Sequence, residues 1–199
     1  MTRASLSIKG ETAFPGGRPR VRAADTADLV QVQAIYAHHV LNGTGSFEEV
    51  PPDITEMTAR RARLAAQGLP YLVADRDGIV LGFAYAGPFR PRSAYRYTLE
   101  DSIYVHPEAI GNGVGRLLLG DLIHCCSRLG YRQLIAVIGD ASNASSISLH
   151  AGFGFVEAGR LSSAGYKFGR WLDVVFMQKA LPTTAPAATG SASVTTAPD

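Results

Sequence analysis

Three glycines at alternate positions, Gly111, Gly113 and Gly115, separate an apolar run ending at Val105 from an apolar-faced stretch beginning at Val114. Pro107 cannot donate a ladder hydrogen bond, so a strand should end at Val105. A helix start carries unpaired N–H groups and a partial positive charge, and glycine lets the backbone approach a ligand closely. Together these make a cradle for a pyrophosphate. Two common forms of cradle fit poorly. A P-loop ends in Gly-Lys-Ser/Thr, whereas Arg116 and Leu117 follow Gly115, and a dinucleotide fingerprint needs another glycine where Arg116 stands. A plain glycine-rich surface turn is the remaining alternative.

A second candidate is a carboxylate inside the preceding strand. Alternation puts Glu100, Ser102 and Tyr104 on one face and Leu99, Ile103 and Val105 on the other. Glu100 is an unusual occupant of so apolar a strand. It suits a general base, or an ion pair to Arg90, Arg92 or Arg96 at a sheet edge. The loop Arg90, Pro91, Arg92 to Arg96 suits bidentate capture of a carboxylate, or is a solvated basic loop. Tyr104 offers a proton donor or a packing ring, and His150 a catalytic group or a satisfied, half-buried ring. His38, His39, His106 and His124 show no metal-ligand spacing with cysteines or carboxylates, so no metal is expected.

These residues need elements to hold them. Residues 25–28 form a helix start, followed by Leu29, Val32, Ile35, Tyr36 and Val40 at helical spacing. Asp53 or Thr55 can cap a second helix running through Met57 to Leu64 and stopped by Gly68. Residues 70–74 and 79–86 read as a hairpin turning at Asp77-Gly78. Residues 95–105 are the longest strand candidate. Residues 113–128 read as a helix with Val114, Leu117, Leu118, Leu122, Cys125 and Leu129 on one face. A strand (132–138), a short helix (143–150), a strand (153–161) and a strand bent near Gly169 (165–177) complete the chain. The order implies an α/β fold, a mixed sheet with helices on both faces.

The chain has 199 residues, 46% hydrophobic and 18% charged, enough for a core and too ordinary for a disordered protein, a fibre or a coiled coil. A net charge of +2 with no basic stripe argues against nucleic acid. Cys125 and Cys126 are adjacent and cannot build a disulfide framework, which fits a reducing compartment. No apolar run approaches the ~20 residues of a membrane span, and residues 1–17 do not read as a secretory signal. A cytoplasmic protein without membrane contact is expected. Residues 1–19, with no apolar period, and the Ala/Thr/Pro-rich 182–199 cannot bury enough apolar surface to offset chain ordering and are expected to be disordered, leaving a folded unit over 20–181.

Several separated segments, in order, resemble the phosphinothricin, methionine sulfoximine and methionine sulfone branch of the GCN5-related N-acetyltransferases (GNAT). They are AIYAH (34–38), YAGPFRP (85–91), YTLEDSIYV (97–105), IGNGVG (110–115), IGDASNASSI (138–147), Leu149-His150 with Gly154-Phe155, and KFGRWLD (167–173) ahead of Phe176-Met177. Ile110 replaces the usual basic residue opening the glycine signature, and Ala151 the usual Glu after Leu-His.

The resemblance implies a mostly antiparallel sheet whose central strands splay apart around acetyl-CoA. It places Ile103, Tyr104 and Val105 against the pantetheine arm, and the backbone of Gly111, Asn112, Gly113, Val114, Gly115 and Arg116 around the pyrophosphate. Asn143 matches a cofactor-contacting residue and is equally a good helix N-cap. Glu100 matches the branch's proposed base, with His150 and Tyr104 assisting. Arg90, Pro91 and Arg92 match its substrate clamp, and Phe47 the aromatic closing the acceptor pocket. The expected activity is acetylation of the α-amino group of a small amino-acid analogue by a homodimer. The alternatives are a protein N-terminus or polyamine acceptor, or a CoA-binding module without turnover. Arginine-lined walls count against a polyamine.

Overall fold

The computed structural model describes residues 17–182, so the disorder expected for 1–19 and 182–199 lies, apart from 17–19 and 182, outside the described residues. The elements run β1 (Arg20–Ala23), α1 (Leu29–Asn42), α2 (Ile54–Ala66), β2 (Tyr71–Arg76), β3 (Ile79–Pro88), β4 (Thr98–Val105), α3 (Val114–Arg128), β5 (Gln133–Gly139), α4 (Ala144–Ala151), β6 (Val156–Lys167) and β7 (Arg170–Ala180). One sheet takes the order β1-β2-β3-β4-β5-β7-β6. Every neighbouring pair is antiparallel except β4 and β5, whose parallel pairing needs the crossover that α3 supplies.

Local chemistry explains the helices. Asp25 accepts the Ala27 N–H at 2.8 Å and Arg22 donates to Asp28 at 2.6 Å, fastening the start of α1. Of the two caps expected for α2, Asp53 is used, accepting from the Glu56 N–H at 2.8 Å. Helix α3 buries Val114, Leu118, Leu119, Leu122 and Cys126 against one sheet face, while Leu117 and Leu129 stay exposed. The buried stripe is rotated from the expected one, with Leu119 and Cys126 taking the inward places. Val32, Ile35, Tyr36 and Val40 of α1, with Met57 of α2, cover Tyr71, Val73 and Phe83 on the opposite face.

Three elements differ from expectation. β1 lies outside the elements the sequence suggests, since four residues carrying Arg20 and Arg22 show no apolar pattern. β4 begins at Thr98 because Ser93–Tyr95 forms a 3-10 turn, so β6, with 12 residues, is the longest strand. The strand bent near Gly169 is instead a hairpin. Phe168 and Gly169 both take positive φ (52° and 73°), and Lys167 faces Arg170 across the turn.

The site follows from one break in pairing. β4 and β5 pair only from Thr98 opposite Gln133 to Asp101 opposite Ala136. Beyond that point β5 stays on β7 as far as Gly139, and β4 stays on β3 as far as Val105. The two central strands part, leaving residues 102–105 and 137–139 on either side of a gap. Among the described residues no helix is long and apolar enough to cross a membrane.

Candidate active site

A cleft of about 1350 Å³ occupies this gap. It brings together Phe47, Glu100, Ile103, Tyr104, Val105, Gly111, Gly113, Val114, Gly115, Arg116, Asn143 and His150 from the sequence candidates. Arg90, Pro91, Arg92 and Asn112 do not line it.

One end presents backbone amides ahead of a helix, a chemistry that suits an anion. Gly111 and Gly113 have φ of 83° and 80°, values open to glycine at little cost. The first helical bond of α3 runs from the Leu117 N–H to the Gly113 carbonyl, so the amides of Val114, Gly115 and Arg116 precede the helical ladder. A Cβ on Gly115 would lie 3.3 Å from Leu149, so α3 packs tightly beside α4 there. The Arg116 guanidinium lies 5.4 Å from the Phe153 ring, and the Asn112 N–H is spent on the Ala109 carbonyl at 3.3 Å. Asn143 caps α4, accepting from the Ser146 N–H at 3.2 Å, and its side-chain amide N–H groups remain as donors.

Toward the other end stands Glu100, half-buried, 3.9 Å from Arg90 Nη1. Burial pushes its carboxyl above the usual carboxylate range, and Arg90 opposes the shift. Tyr85 and Glu48 line the same wall. Tyr104 sits in an aromatic cluster, 4.8 Å from Tyr36 and 5.2 Å from Phe83 between ring centres, and burial raises its phenol well above the ordinary value. His39 is held at 2.8 Å from the Val105 carbonyl, and burial lowers its pKa, so at neutral pH it is a neutral donor to that carbonyl.

His150 is buried with both nitrogens engaged. Nδ1 lies 2.7 Å from the Ser146 carbonyl and Nε2 3.0 Å from Asp101 Oδ2. Both neighbours accept, an arrangement satisfied when the ring carries both protons, and it leaves no lone pair for a substrate. Burial disfavours that charge, yet the Asp101 carboxylate prevails and raises the pKa. The stabilisation is therefore full below about pH 6.5 and is lost as pH rises through the raised value. His150→Phe strands a buried carboxylate and should lower unfolding stability by about 3 kcal/mol near pH 6. Urea titration of both proteins from pH 5 to 9 checks this, and a difference that does not shrink with pH would refute the assignment.

The sequence profile of the Acetyltransferase (GNAT) family matches residues 32–155. The chain belongs to the GNAT acetyltransferase family. It is 60% identical over 169 residues to a phosphinothricin N-acetyltransferase of Alcaligenes faecalis, covering 83% of this chain and 86% of that one. It is 42% identical to an L-methionine sulfoximine/L-methionine sulfone acetyltransferase of Pseudomonas aeruginosa, over 84% of this chain and 97% of the relative. A solved structure of a GNAT superfamily phosphinothricin acetyltransferase from Sinorhizobium meliloti, in complex with AcCoA, superposes with TM-score 0.82 and 46% identity. That match covers 88% of this chain and 95% of the other.

Within this GNAT chain the structure adds Asp101, Tyr85, His39 and Glu48 to the residues singled out by sequence. Tyr85 and Asp101 stood inside the resembling segments, and Tyr85 shares the face of Phe83. His39 and Glu48 carry no local signal: the His39 contact to the Val105 carbonyl spans 66 residues, and Glu48 pairs at 2.6 Å with Arg60 of α2. Among the described residues no group of three or more His, Cys, Asp or Glu gathers to hold a metal ion.

Proposed function

We propose that this enzyme moves the acetyl group of acetyl-CoA to the α-amino group of a small glutamate- or methionine-like compound such as phosphinothricin, methionine sulfoximine or methionine sulfone. The observation that carries the reading is one continuous cleft with unladdered amides at the start of α3 at one end and the Glu100 carboxylate toward the other. The donor set fits acetyl-CoA. The Gly111 to Arg116 backbone and the Arg116 charge receive the pyrophosphate, Ile103, Tyr104 and Val105 on the strand freed from β5 flank the pantetheine arm, and Asn143 adds a side-chain donor.

Glu100 takes a proton from the acceptor ammonium, directly or through one water. The freed amine attacks the thioester carbonyl; the C–N bond forms, the C–S bond breaks, and the proton shed by the attacking nitrogen passes to the departing sulfur, so CoA leaves as its thiol. A phenol held as high as Tyr104 keeps its own proton at neutral pH, which makes it a hydrogen-bond donor rather than a base. Backbone amides on the parted strand meet the oxyanion without rearrangement. His150 acts through Asp101, as a positioning group. Arg90, outside the cleft lining but 3.9 Å from Glu100, reaches in to hold the acceptor carboxylate, with Pro91 and Arg92 beside it, and Phe47 walls the pocket. We further propose a cytoplasmic homodimer, with the exposed Leu161, Tyr166, Phe168 and Trp171 of β6, β7 and their turn as its contact.

A thiol-release assay with acetyl-CoA tests the substrate class. Release with phosphinothricin, methionine sulfoximine or methionine sulfone, at least 100-fold above spermidine or peptides, is expected. Preference for peptides or spermidine would overturn the acceptor, and no release with any amine would favour a binding module.

A further inference from the structure

We propose that Lys167 is a positioning residue for the acceptor site. Its buried ammonium and a slot between Gly139 and Gly165 hold residues 43–47 as a fixed wall carrying Phe47. The inference rests on the reading of Phe47 as part of the acceptor pocket.

Lys167, the last residue of β6, is 1% exposed. Its Nζ donates to the Gly43 carbonyl at 2.9 Å and the Ser46 carbonyl at 2.6 Å, both in the loop after α1, and lies 5.0 Å from the Phe168 ring. Burying a charge is costly unless its hydrogen bonds are met, and lysine is almost never fully buried without such partners. Here two carbonyls of one loop meet them. Moving that loop would strand the ammonium, so the loop and the β6–β7 turn are tied together. Burial lowers the ammonium's pKa.

Phe47 is held from the other side. A Cβ on Gly139 would lie 2.7 Å from Phe47 Cε1, and one on Gly165 would lie 2.7 Å from Cδ2. The ring thus fills a gap that exists because both flanking residues lack a side chain. Thr44 Oγ1 donates to Asp140 Oδ2 at 3.2 Å, and Arg170 holds the same oxygen at 2.6 Å. Tyr36 and Ser46 share a further hydrogen bond of 3.0 Å. Four of the five residues 43–47 are therefore fastened to the ends of β5, β6 and β7 or to α1. Phe47 is still 40% exposed and lines the cleft. A wall already in place spares the acceptor the cost of ordering it, so acceptor binding depends on what holds the wall.

Lys167→Met keeps the length and removes the ammonium. The expected result is an acceptor KM raised tenfold or more, an acetyl-CoA KM within twofold of wild type, and faster amide hydrogen exchange at residues 43–48 in the free enzyme. Gly165→Ala is the second variant, since it expels the ring while leaving the Lys167 bonds in place, and it should give the same split. An acceptor KM within twofold of wild type in either folded variant overturns the inference. So does an equal rise in both constants, the mark of general loosening. A wild-type enzyme inactive on every acceptor overturns the underlying reading and this inference with it, whereas an active wild type with unmoved variant constants overturns the inference alone.

Discussion

Glu100→Gln is expected to lower kcat about 10²- to 10³-fold, within the usual contribution of a general base. The acceptor arrives as an ammonium, and glutamine can hold its place in the strand but cannot take its proton. Stability should move little or upward. A carboxyl whose folded pKa lies above the unfolded value near 4.3 favours the native state at low pH. That advantage falls away as pH rises through the unfolded value to the folded one, so at pH 7 ionised Glu100 is a mild liability that glutamine lacks. A loss of kcat without a loss of Tm therefore separates catalysis from folding.

The same carboxyl makes a pH prediction. As base it must be ionised, so kcat/KM should fall on the acid side through the raised Glu100 value, and this limb should vanish in Glu100→Gln. Arg90 opposes the upward shift from 3.9 Å. Arg90→Gln removes the cation, raises the Glu100 pKa further and should carry the acid limb to higher pH, besides raising the acceptor KM. A limb unmoved in Arg90→Gln and still present in Glu100→Gln belongs to another group.

Legibility in the sequence tracked the distance over which a residue's partners lie. Gly113 and the apolar stripe after it are near neighbours, so the start of α3 could be read directly, although period alone did not say that Leu119 rather than Leu117 turns inward. Asp53 capping α2 is equally local. β6 shows the opposite case. Its first nine residues are exposed and carry no alternation, and Phe168-Gly169 lacks the Asn-Gly or Asp-Gly signal of a two-residue turn, so the sequence reads as a bent strand where the fold has a hairpin. The Asp101–His150 pair joins residues 49 apart, and Lys167 reaches 124 residues back to Gly43. No window of sequence contains such pairs. Glu100 stood out for the reverse reason, as a charge its own strand did not explain.

Gly113→Val should weaken acetyl-CoA binding about 10- to 100-fold, the loss of one or two hydrogen bonds to a charged group. Gly113 caps α3 at φ 80° and ψ 0°, with nothing within 4 Å of where a Cβ would stand. The substitution is thus not blocked by a clash. It acts through the backbone, because a β-branched residue strongly disfavours the left-handed region and relaxing φ would turn the next amides away from the cleft. Helix and core should survive, since Val114, Leu118 and Leu122 keep their places. Calorimetric titration with acetyl-CoA reads the effect, and kcat at saturating acetyl-CoA should stay within about threefold if chemistry at Glu100 is separate. Ile110→Arg supplies the converse. Ile110 is 61% exposed at the cleft edge, so a cation there adds a surface-type attraction of about 0.2–1 kcal/mol, up to roughly fivefold tighter binding that fades with salt. A dissociation constant unchanged in Gly113→Val would mean that the phosphates lie elsewhere, the start of α4 being another place in the cleft where amides precede a helical ladder.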